Sequence, residues 1–469
     1  MAARAPRRPH PARGGVARRI IEVMLTRRHC LAAPLAALQT ARRRPNIIVL
    51  LADDQRWDSL GCAGNPIVRT PNIDRLAAGG VRFTNHFVTT AICVTSRASI
   101  FSGQYASRHG IWKFSDQFTP AAFAQTYPAL LRTAGYRTAF VGKYGLDGPP
   151  LPAAEFDYWR GFAGQGSYFP KGEPGPHLTT VMGDQAAEFL TATPAERPFF
   201  LQVSFKAPHV QDDDPRQFLI DPEDAALYRD AAIPVPKTAD PRYIAMLPTE
   251  VQRSEGRRRW AVRFATPGLY RESVRNYYRL ITGIDRQVGR LTSILRERGL
   301  HRDTIVVYTS DNGFYLSEHG LAGKWFMHEE SIRVPLIVSG GPARAATTRG
   351  EMTLNIDLAP TLLRLAGLEP PAAMQGADLT PLLEARPVPW RKEWFYEHRF
   401  ANPWIPKTEG IRTERWKYTR YLDTQPEFEE LFDLKSDPLE ETNLAAGGSH
   451  RETLEGFRSK WREARAAAR

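Results

Sequence analysis

Cysteine and long apolar runs are both scarce in this sequence. Its 469 residues include three cysteines, Cys30, Cys62 and Cys93, which are too few for a framework of disulfide bonds. No stretch approaches the roughly 20 apolar residues that a membrane-spanning helix needs, so an integral membrane segment is not expected. The chain must therefore be stabilised by a hydrophobic core, and each cysteine needs a reason of its own.

Acidic residues are almost missing from the first 44 residues, which contain eleven arginines and a single acid, Glu22. The remainder contains 52 basic and 50 acidic residues, so the net charge of +12 divides into +10 for this tail and +2 for the body. A nearly neutral body lacks the broad basic surface that nucleic acids require. We therefore expect no nucleic-acid partner.

The basic tail has the organisation of an export signal. Arg27 and Arg28 form a pair that precedes a short, weakly apolar stretch from Leu31 to Leu38. The segment resembles a twin-arginine signal, which directs folded proteins across a bacterial inner membrane. We interpret residues 1–44 as a signal or disordered tail and expect a periplasmic or secreted protein. A basic arm without a targeting role is the alternative.

Short apolar runs alternate with helical patterns from residue 45 to about residue 380. Strands are predicted from five apolar runs, at residues 46–52, 137–142, 199–205, 304–310 and 335–339. Helical spacing of apolar residues predicts helices over residues 127–134 and 273–298. This alternation predicts an α/β fold with a large, mostly parallel sheet flanked by helices. Residues 45–380 are expected to form this main domain.

Two regions depart from this pattern. Residues 206–270 are rich in Asp, Pro and Arg and show little periodicity, which favours a substrate-facing loop or a flexible flap. After the proline-rich stretch that ends at Pro389, short aromatic runs predict four strands and a final helix from about Arg451. Residues 388–469 are therefore expected to form a small α+β subdomain with an antiparallel sheet.

Polar side chains follow four of the predicted strands, where the ligand site of an open parallel sheet lies. They are Asp53 and Asp54, Lys143, the segment from Lys206 to His209, and Asp311 with Asn312. Adjacent carboxylates repel each other unless a cation lies between them, and hard oxygen ligands suit Ca²⁺ or Mg²⁺ better than zinc. Ordinary turn chemistry could explain any one strand end, but four at one edge predict a metal site.

A further motif contains Cys93, Ser96, Arg97 and the pair Ser102-Gly103. Together with Asp-Asp, Gly-Lys and Asp-Asn-Gly in this order, it resembles the sulfatase family of the alkaline-phosphatase superfamily. The resemblance extends from Arg44 to Pro438 and implies an alkaline-phosphatase-like fold. Residues 317–335 look like the branch that acts on sulfated polysaccharides and glycosaminoglycans.

The resemblance implies roles for individual residues. In that family a formylglycine-generating enzyme oxidises the motif cysteine, here Cys93, to formylglycine, whose hydrated aldehyde supplies the nucleophile. It implies a Ca²⁺ site, with Mg²⁺ possible, made by Asp53, Asp54, Cys93, Asp311 and Asn312. It also implies that Arg97 holds the nucleophile, that Lys143 and Lys324 bind sulfate oxygens, and that His209 contacts sulfate or passes a proton.

Two positions depart from the family pattern. Thr95 stands where the family prefers Pro or Ala, which bears on recognition by the modifying enzyme. The family's Gly-Lys-Trp-His is here Gly142 to Gly145, so a histidine that normally assists the reaction is absent from position 145. His319 and His328 are other candidates for its proton function.

The resulting hypothesis is a sulfuric ester hydrolase that removes sulfate from a sulfated carbohydrate. A phosphomonoesterase or phosphonate hydrolase of the same superfamily is one alternative, because sulfate and phosphate esters share a tetrahedral shape. A catalytically silent protein that binds sulfated glycans is another, motivated by Thr95 and Gly145.

Overall fold

The computed structural model describes residues 44–469. The paired arginines of the predicted export signal lie outside the described residues. Fifteen strands are present in this part of the chain: β1 (Asn46–Asp53), β2 (Gly80–Phe87), β3 (Arg137–Lys143), β4 (Tyr158–Phe162), β5 (Phe199–Pro208), β6 (Thr304–Ser310), β7 (Tyr315–Leu316), β8 (Ala322–Gly323), β9 (Arg333–Ser339), β10 (Thr347–Arg349), β11 (Thr353–Leu354), β12 (Glu393–His398), β13 (Thr408–Thr413), β14 (Trp416–Tyr421) and β15 (Phe428–Asp433).

The same residues form fourteen α-helices: α1 (Pro71–Ala78), α2 (Cys93–Ser102), α3 (Ala106–His109), α4 (Pro120–Phe123), α5 (Tyr127–Thr133), α6 (Leu178–Ala192), α7 (Pro241–Met246), α8 (Thr249–Gln252), α9 (Glu255–Arg263), α10 (Pro267–Glu297), α11 (Glu329–Ile332), α12 (Leu358–Leu365), α13 (Thr380–Leu383) and α14 (Arg451–Ala467). No described helix is long and apolar enough to cross a membrane.

The large sheet has the strand order β10-β2-β9-β6-β1-β5-β3-β4, with β11 also paired to β2. Strands β1, β3, β4, β5 and β6 run parallel to their neighbours within this group, whereas β9 is antiparallel to both β2 and β6. The predicted α/β fold is confirmed, and the sheet is mixed because β9 is reversed.

Strand β1 explains why helices cover both faces of this sheet. All eight of its residues are buried. Successive side chains point to opposite faces, so Ile47, Val49 and Leu51 join one apolar core while Ile48 and Leu50 join the other. The first core includes residues of α2, α5 and α12, and the second includes residues of α6 and α10. A strand that is apolar on both faces can only lie between two such layers.

The C-terminal strands form a separate antiparallel sheet in the order β12-β13-β14-β15. Helix α14 packs against it through Leu454, Phe457 and Trp461, which share a core with Ile411 and Tyr418. A small antiparallel sheet with a final helix was predicted, and this part of the fold is confirmed. Residues 206–270, for which little periodicity was found, contain the short helices α7, α8 and α9.

Candidate active site

The sheet brings the predicted strand-end residues to one edge. Asp53 ends β1, and Asp311 and Asn312 follow β6, which pairs with β1 in parallel register at Ala52 and Ser310. Lys143 ends β3, and His209 follows β5. Asp54 has a φ of +69°, a left-handed conformation that is uncommon for a residue with a side chain and is found at functional sites.

Helix α2 places two further site residues against this edge. Cys93 is its first residue and Arg97 lies one turn later, so the two share a face of the helix. Both are buried, with 1% of each residue exposed. Burial raises the pKa of the Cys93 thiol, and the nearby charges of Lys143 and Lys324 only partly oppose this effect. The unmodified thiol is therefore protonated and a weak nucleophile at neutral pH.

Arg97 joins three strand ends through its guanidinium group. Its Nε donates to Asp311 Oδ2 at 2.8 Å, and its Nη2 donates to Asp53 Oδ2 at 3.1 Å. The third nitrogen, Nη1, donates to the backbone oxygen of Lys143 at 2.5 Å. Removing any one partner would leave part of a fully buried charge uncompensated, so the arginine is fixed in a single orientation.

Gly145 allows Arg97 to take this position. Its φ is +84°, and a Cβ atom added there would lie 2.6 Å from Arg97 Cδ. The family's histidine at this position therefore cannot be accommodated in the present arrangement. The departure noted in the sequence at Gly145 thus has a steric cause, because the backbone of residue 145 lies directly against Arg97.

The two lysines are each paired with one of the adjacent aspartates. Lys143 Nζ donates to Asp53 Oδ2 at 2.5 Å and to Gln165 Oε1 at 2.6 Å. Lys324 Nζ donates to Asp54 Oδ1 at 2.5 Å, and the same oxygen accepts a bond from Asn312 Nδ2 at 2.6 Å. Both lysines are buried, so these contacts lie in a region of low dielectric constant where charges interact strongly.

The carboxyl groups respond differently to this environment. Burial raises the pKa of each, but for Asp53 the charges of Lys143, Arg97 and Lys324 outweigh burial and hold the pKa below its usual value. For Asp54, burial and the neighbouring Asp53 raise the pKa. Burial and Asp53 also raise the pKa of Asp311 to about 6. Burial therefore opposes ionisation of Asp54 and Asp311 even though three cations lie beside the cluster.

Three buried oxygen atoms of this cluster have no hydrogen-bond partner among the described residues: Asp53 Oδ1, Asp54 Oδ2 and Asn312 Oδ1. Buried polar atoms are nearly always satisfied, so these oxygens are suited to bind a cation or a hydrogen-bond donor. A ligand atom from each of Asp53, Asp54 and His209 lies within 4.8 Å of the other two, close enough to surround one ion. Hard oxygen donors of this kind fit Ca²⁺ or Mg²⁺.

His209 has a defined protonation state. Its Nδ1 lies 2.7 Å from the backbone oxygen of Val210, and only an N–H can donate to a carbonyl. Burial and the charges of Lys324, Lys143 and Lys206 lower its pKa well below the usual value. The imidazole is therefore neutral, and Nε2 carries a free lone pair 3.6 Å from Asp54 Oδ2.

A cavity of about 160 Å³ opens beside Cys93, His209 and Lys324. Its outer wall is formed by residues that were not named as site candidates from the sequence: Phe114, Gln165, Asp212, Glu255, Arg259, Phe400, Asn402 and Ile405. Asp212, Glu255 and Arg259 come from residues 206–270, so part of that region faces the cavity. None of these residues lies at a strand end, and no motif marked them in the sequence.

His319 and His328 lie in a different cluster. Their rings stack with centroids 4.1 Å apart, and His328 Nδ1 lies 2.7 Å from the hydroxyl of Tyr315. They line a small cavity with Glu430 and Glu440, and neither lines the cavity beside Cys93. Neither histidine is therefore placed to act on a ligand in that cavity.

Two family profiles match the chain. The profile described as Sulfatase matches residues 45–368, and the profile described as N-sulphoglucosamine sulphohydrolase, C-terminal, matches residues 317–467. Among curated proteins, the N-acetylglucosamine-6-O-sulfatase of Bacteroides thetaiotaomicron is 31% identical over 91% of this chain and 88% of its own length. The arylsulfatase of Clostridium perfringens is 27% identical over 88% of this chain and 93% of its own length.

Two solved structures are also similar to this chain over most of its length. A structure described as a complex with its substrate D-glucosamine-2-N,6-O-disulfate has a TM-score of 0.78 and 28% identity, covering 91% of this chain and 98% of that one. The phosphonate monoester hydrolase of Agrobacterium radiobacter has a TM-score of 0.70 and 23% identity, covering 91% of this chain and 96% of that one. At that identity the second likeness concerns the fold alone.

Proposed function

Since this chain belongs to the sulfatase family, we propose that it hydrolyses a sulfate ester of a sulfated carbohydrate, using formylglycine formed from Cys93 and a bound divalent metal ion. The observation that carries the proposal is the convergence of Cys93 with Arg97, Lys143, Lys324 and His209 in one buried site. A sulfate ester is an anion, and a buried group of cations is the environment that binds it and stabilises charge as it is transferred.

The metal would be Ca²⁺, with Mg²⁺ as the alternative. Asp53, Asp54, Asp311 and Asn312 would hold it together with the modified residue 93. The unpartnered oxygens of Asp53, Asp54 and Asn312 support this assignment. The ion would supply positive charge next to the ester and so lower the repulsion between the ester and an oxygen nucleophile.

Modification of Cys93 would overcome the weak nucleophilicity of the buried, unmodified thiol. A buried thiol with a raised pKa does not itself supply a good nucleophile. Formylglycine at this position would supply a nucleophilic oxygen instead, and a formylglycine-generating enzyme would be required as a partner. Arg97, fixed by its three hydrogen bonds, would orient residue 93 through their shared face of α2.

The remaining residues bind the sulfate and handle a proton. Lys143 and Lys324 place their ammonium groups beside the aspartate cluster, where each has donor capacity beyond its present bonds. His209 is neutral with Nε2 free. An anionic ester next to this imidazole would raise its pKa, so Nε2 would take up a proton and could donate it to the departing alcohol.

A 6-O-sulfated glucosamine is the substrate class that we propose to test first. It is supported by the name of the N-acetylglucosamine-6-O-sulfatase and by the sugar bound in the most similar of the structures described above. Export to the periplasm or the medium completes the proposal, supported by the paired arginines of the N-terminal segment.

The proposal is tested with matched sulfate and phosphate esters of 4-nitrophenol and with N-acetylglucosamine-6-O-sulfate. We expect sulfate release from the sulfate esters, faster than phosphate release from the phosphate ester. Cys93→Ala should abolish activity, whereas Cys62→Ala, a cysteine outside the site, should retain it. Faster hydrolysis of the phosphate ester would instead favour a phosphomonoesterase, and binding without turnover would favour a silent glycan-binding protein.

A further inference from the structure

The outer wall of the active-site cavity carries a group of charged side chains that the reaction itself does not use. Asp212, Glu255 and Arg259 line the same cavity as Cys93 and Lys324. Arg259 Nε donates to Glu255 Oε1 at 2.7 Å, and its Nη1 lies 3.1 Å from Asp212 Oδ1. The arginine is therefore held between two carboxylates at the mouth of the site.

A second arginine also donates a hydrogen bond to Asp212. Arg263 is 1% exposed, and its Nη2 donates to Asp212 Oδ1 at 2.8 Å while its Nε donates to Gln217 Oε1 at 2.9 Å. One oxygen of Asp212 thus receives both arginines. The other oxygen, Oδ2, accepts no hydrogen bond from the described residues, and Arg259 Nη2 likewise donates none. The side chain of Asp212 is 38% exposed, so a free acceptor on Asp212 and a free donor on Arg259 are accessible to a ligand in the cavity.

This arrangement suits the hydroxyl groups of a sugar ring. A hydroxyl both donates and accepts, so adjacent hydroxyls can donate to Asp212 Oδ2 and accept from Arg259 Nη2. Trp325 adds an apolar surface to the same cavity, with the Arg259 guanidinium 5.3 Å from its ring centre. The backbone φ of Trp325 is +90°, which is strained for a residue with a side chain, and such strain is typical of ligand-binding positions.

We propose that Asp212 and Arg259 are specificity-determining residues that recognise hydroxyl groups of the sugar. The proposal rests on the proposed sulfatase function of the same cavity.

The experiment measures kcat/KM for N-acetylglucosamine-6-O-sulfate and for 4-nitrophenyl sulfate, which has no sugar. Asp212→Asn and Arg259→Gln should lower kcat/KM for the monosulfated sugar by about 10- to 100-fold and leave 4-nitrophenyl sulfate within about twofold.

Asp213→Asn is the matched control, because Asp213 is exposed like Asp212 but does not line the cavity. It should leave both substrates unchanged, and thermal unfolding should show that every variant is folded. No loss on the sugar, or an equal loss on the sugar and aryl substrates in Asp212→Asn and Arg259→Gln, would overturn the inference. Absence of sulfate release from both substrates would overturn the proposed function and the inference with it.

Discussion

The contact between Gly145 and Arg97 makes a sharp test of the site geometry. In Gly145→Ala the new Cβ would lie 2.6 Å from Arg97 Cδ, so the arginine must move by about 0.8 Å to restore an ordinary contact of 3.4 Å. Arg97 cannot move without lengthening its bonds to Asp311, Asp53 and Lys143. A misplacement approaching 1 Å in an active site costs about 100-fold in rate, so we expect a loss of this size in kcat/KM.

Gly135→Ala is the matched control for this substitution. Its φ is +93°, but a Cβ atom there would meet nothing within 4 Å. Both variants carry the cost of a left-handed alanine, about 1–2 kcal/mol in the free energy of unfolding, and only Gly145→Ala also displaces Arg97. Activity on 4-nitrophenyl sulfate and urea unfolding are measured for both. Wild-type activity in Gly145→Ala, or an equal loss of activity in Gly135→Ala, would refute the reasoning.

Three further predictions concern charge. Lys324→Met should lower kcat/KM by about 100-fold or more because an ammonium group at the sulfate is lost, while Lys113→Met at an exposed position should not; similar values would contradict the assigned role. Chelation should abolish activity, and Ca²⁺ at about 100 times its Kd should restore it and add about 2.7 kcal/mol to the free energy of unfolding; activity unaffected by chelation would argue against the metal site. Burial and the charge of Arg391 lower the pKa of His86 from 6.5 to about 3, so the unfolded chain binds the proton first as the solution is acidified. Stability should therefore fall from about pH 6.5 towards pH 3 by a few kcal/mol, and His86→Gln should reduce this fall when urea unfolding is followed against pH.

The strands at the centre of the sheet are predictable from the sequence for a clear physical reason. Residues 46–52 are apolar at nearly every position, and residues 305–308 form a continuous run of Ile, Val and Tyr, because helices cover both faces of β1 and β6. Once these strands are recognised as parallel neighbours, Asp53 and Asp311 must lie close together. The direction of β9 is not predictable in this way, because an apolar run carries no information about which way its strand is traversed.

Other elements have no clear periodic signal. Helix α2 is buried at all ten positions although half of its residues are polar, so it has no solvent-exposed face opposite an apolar one. Strand β4 lies at the sheet edge and is only partly buried, and its sequence does not alternate clearly. Helix α10 begins at Pro267, six residues before the predicted start, because the side chain of Thr266 caps the backbone N–H of Leu269.

The outer wall of the cavity depends on long-range packing. Asp212 follows β5 in a loop and Arg259 lies on α9, and they meet because Arg263 on the same helix is buried against Asp212 and Gln217. Helix α9 is mostly polar, so its sequence does not indicate which side faces the protein. The steric role of Gly145 is equally invisible in the sequence, since it depends on the position of Arg97.

Mass spectrometry of the tryptic peptide that contains residue 93, from active protein purified from its native host, tests the central claim most directly. We expect formylglycine at position 93 and an unmodified thiol at Cys62 in the same sample. Fully active protein in which residue 93 is still cysteine would contradict the account.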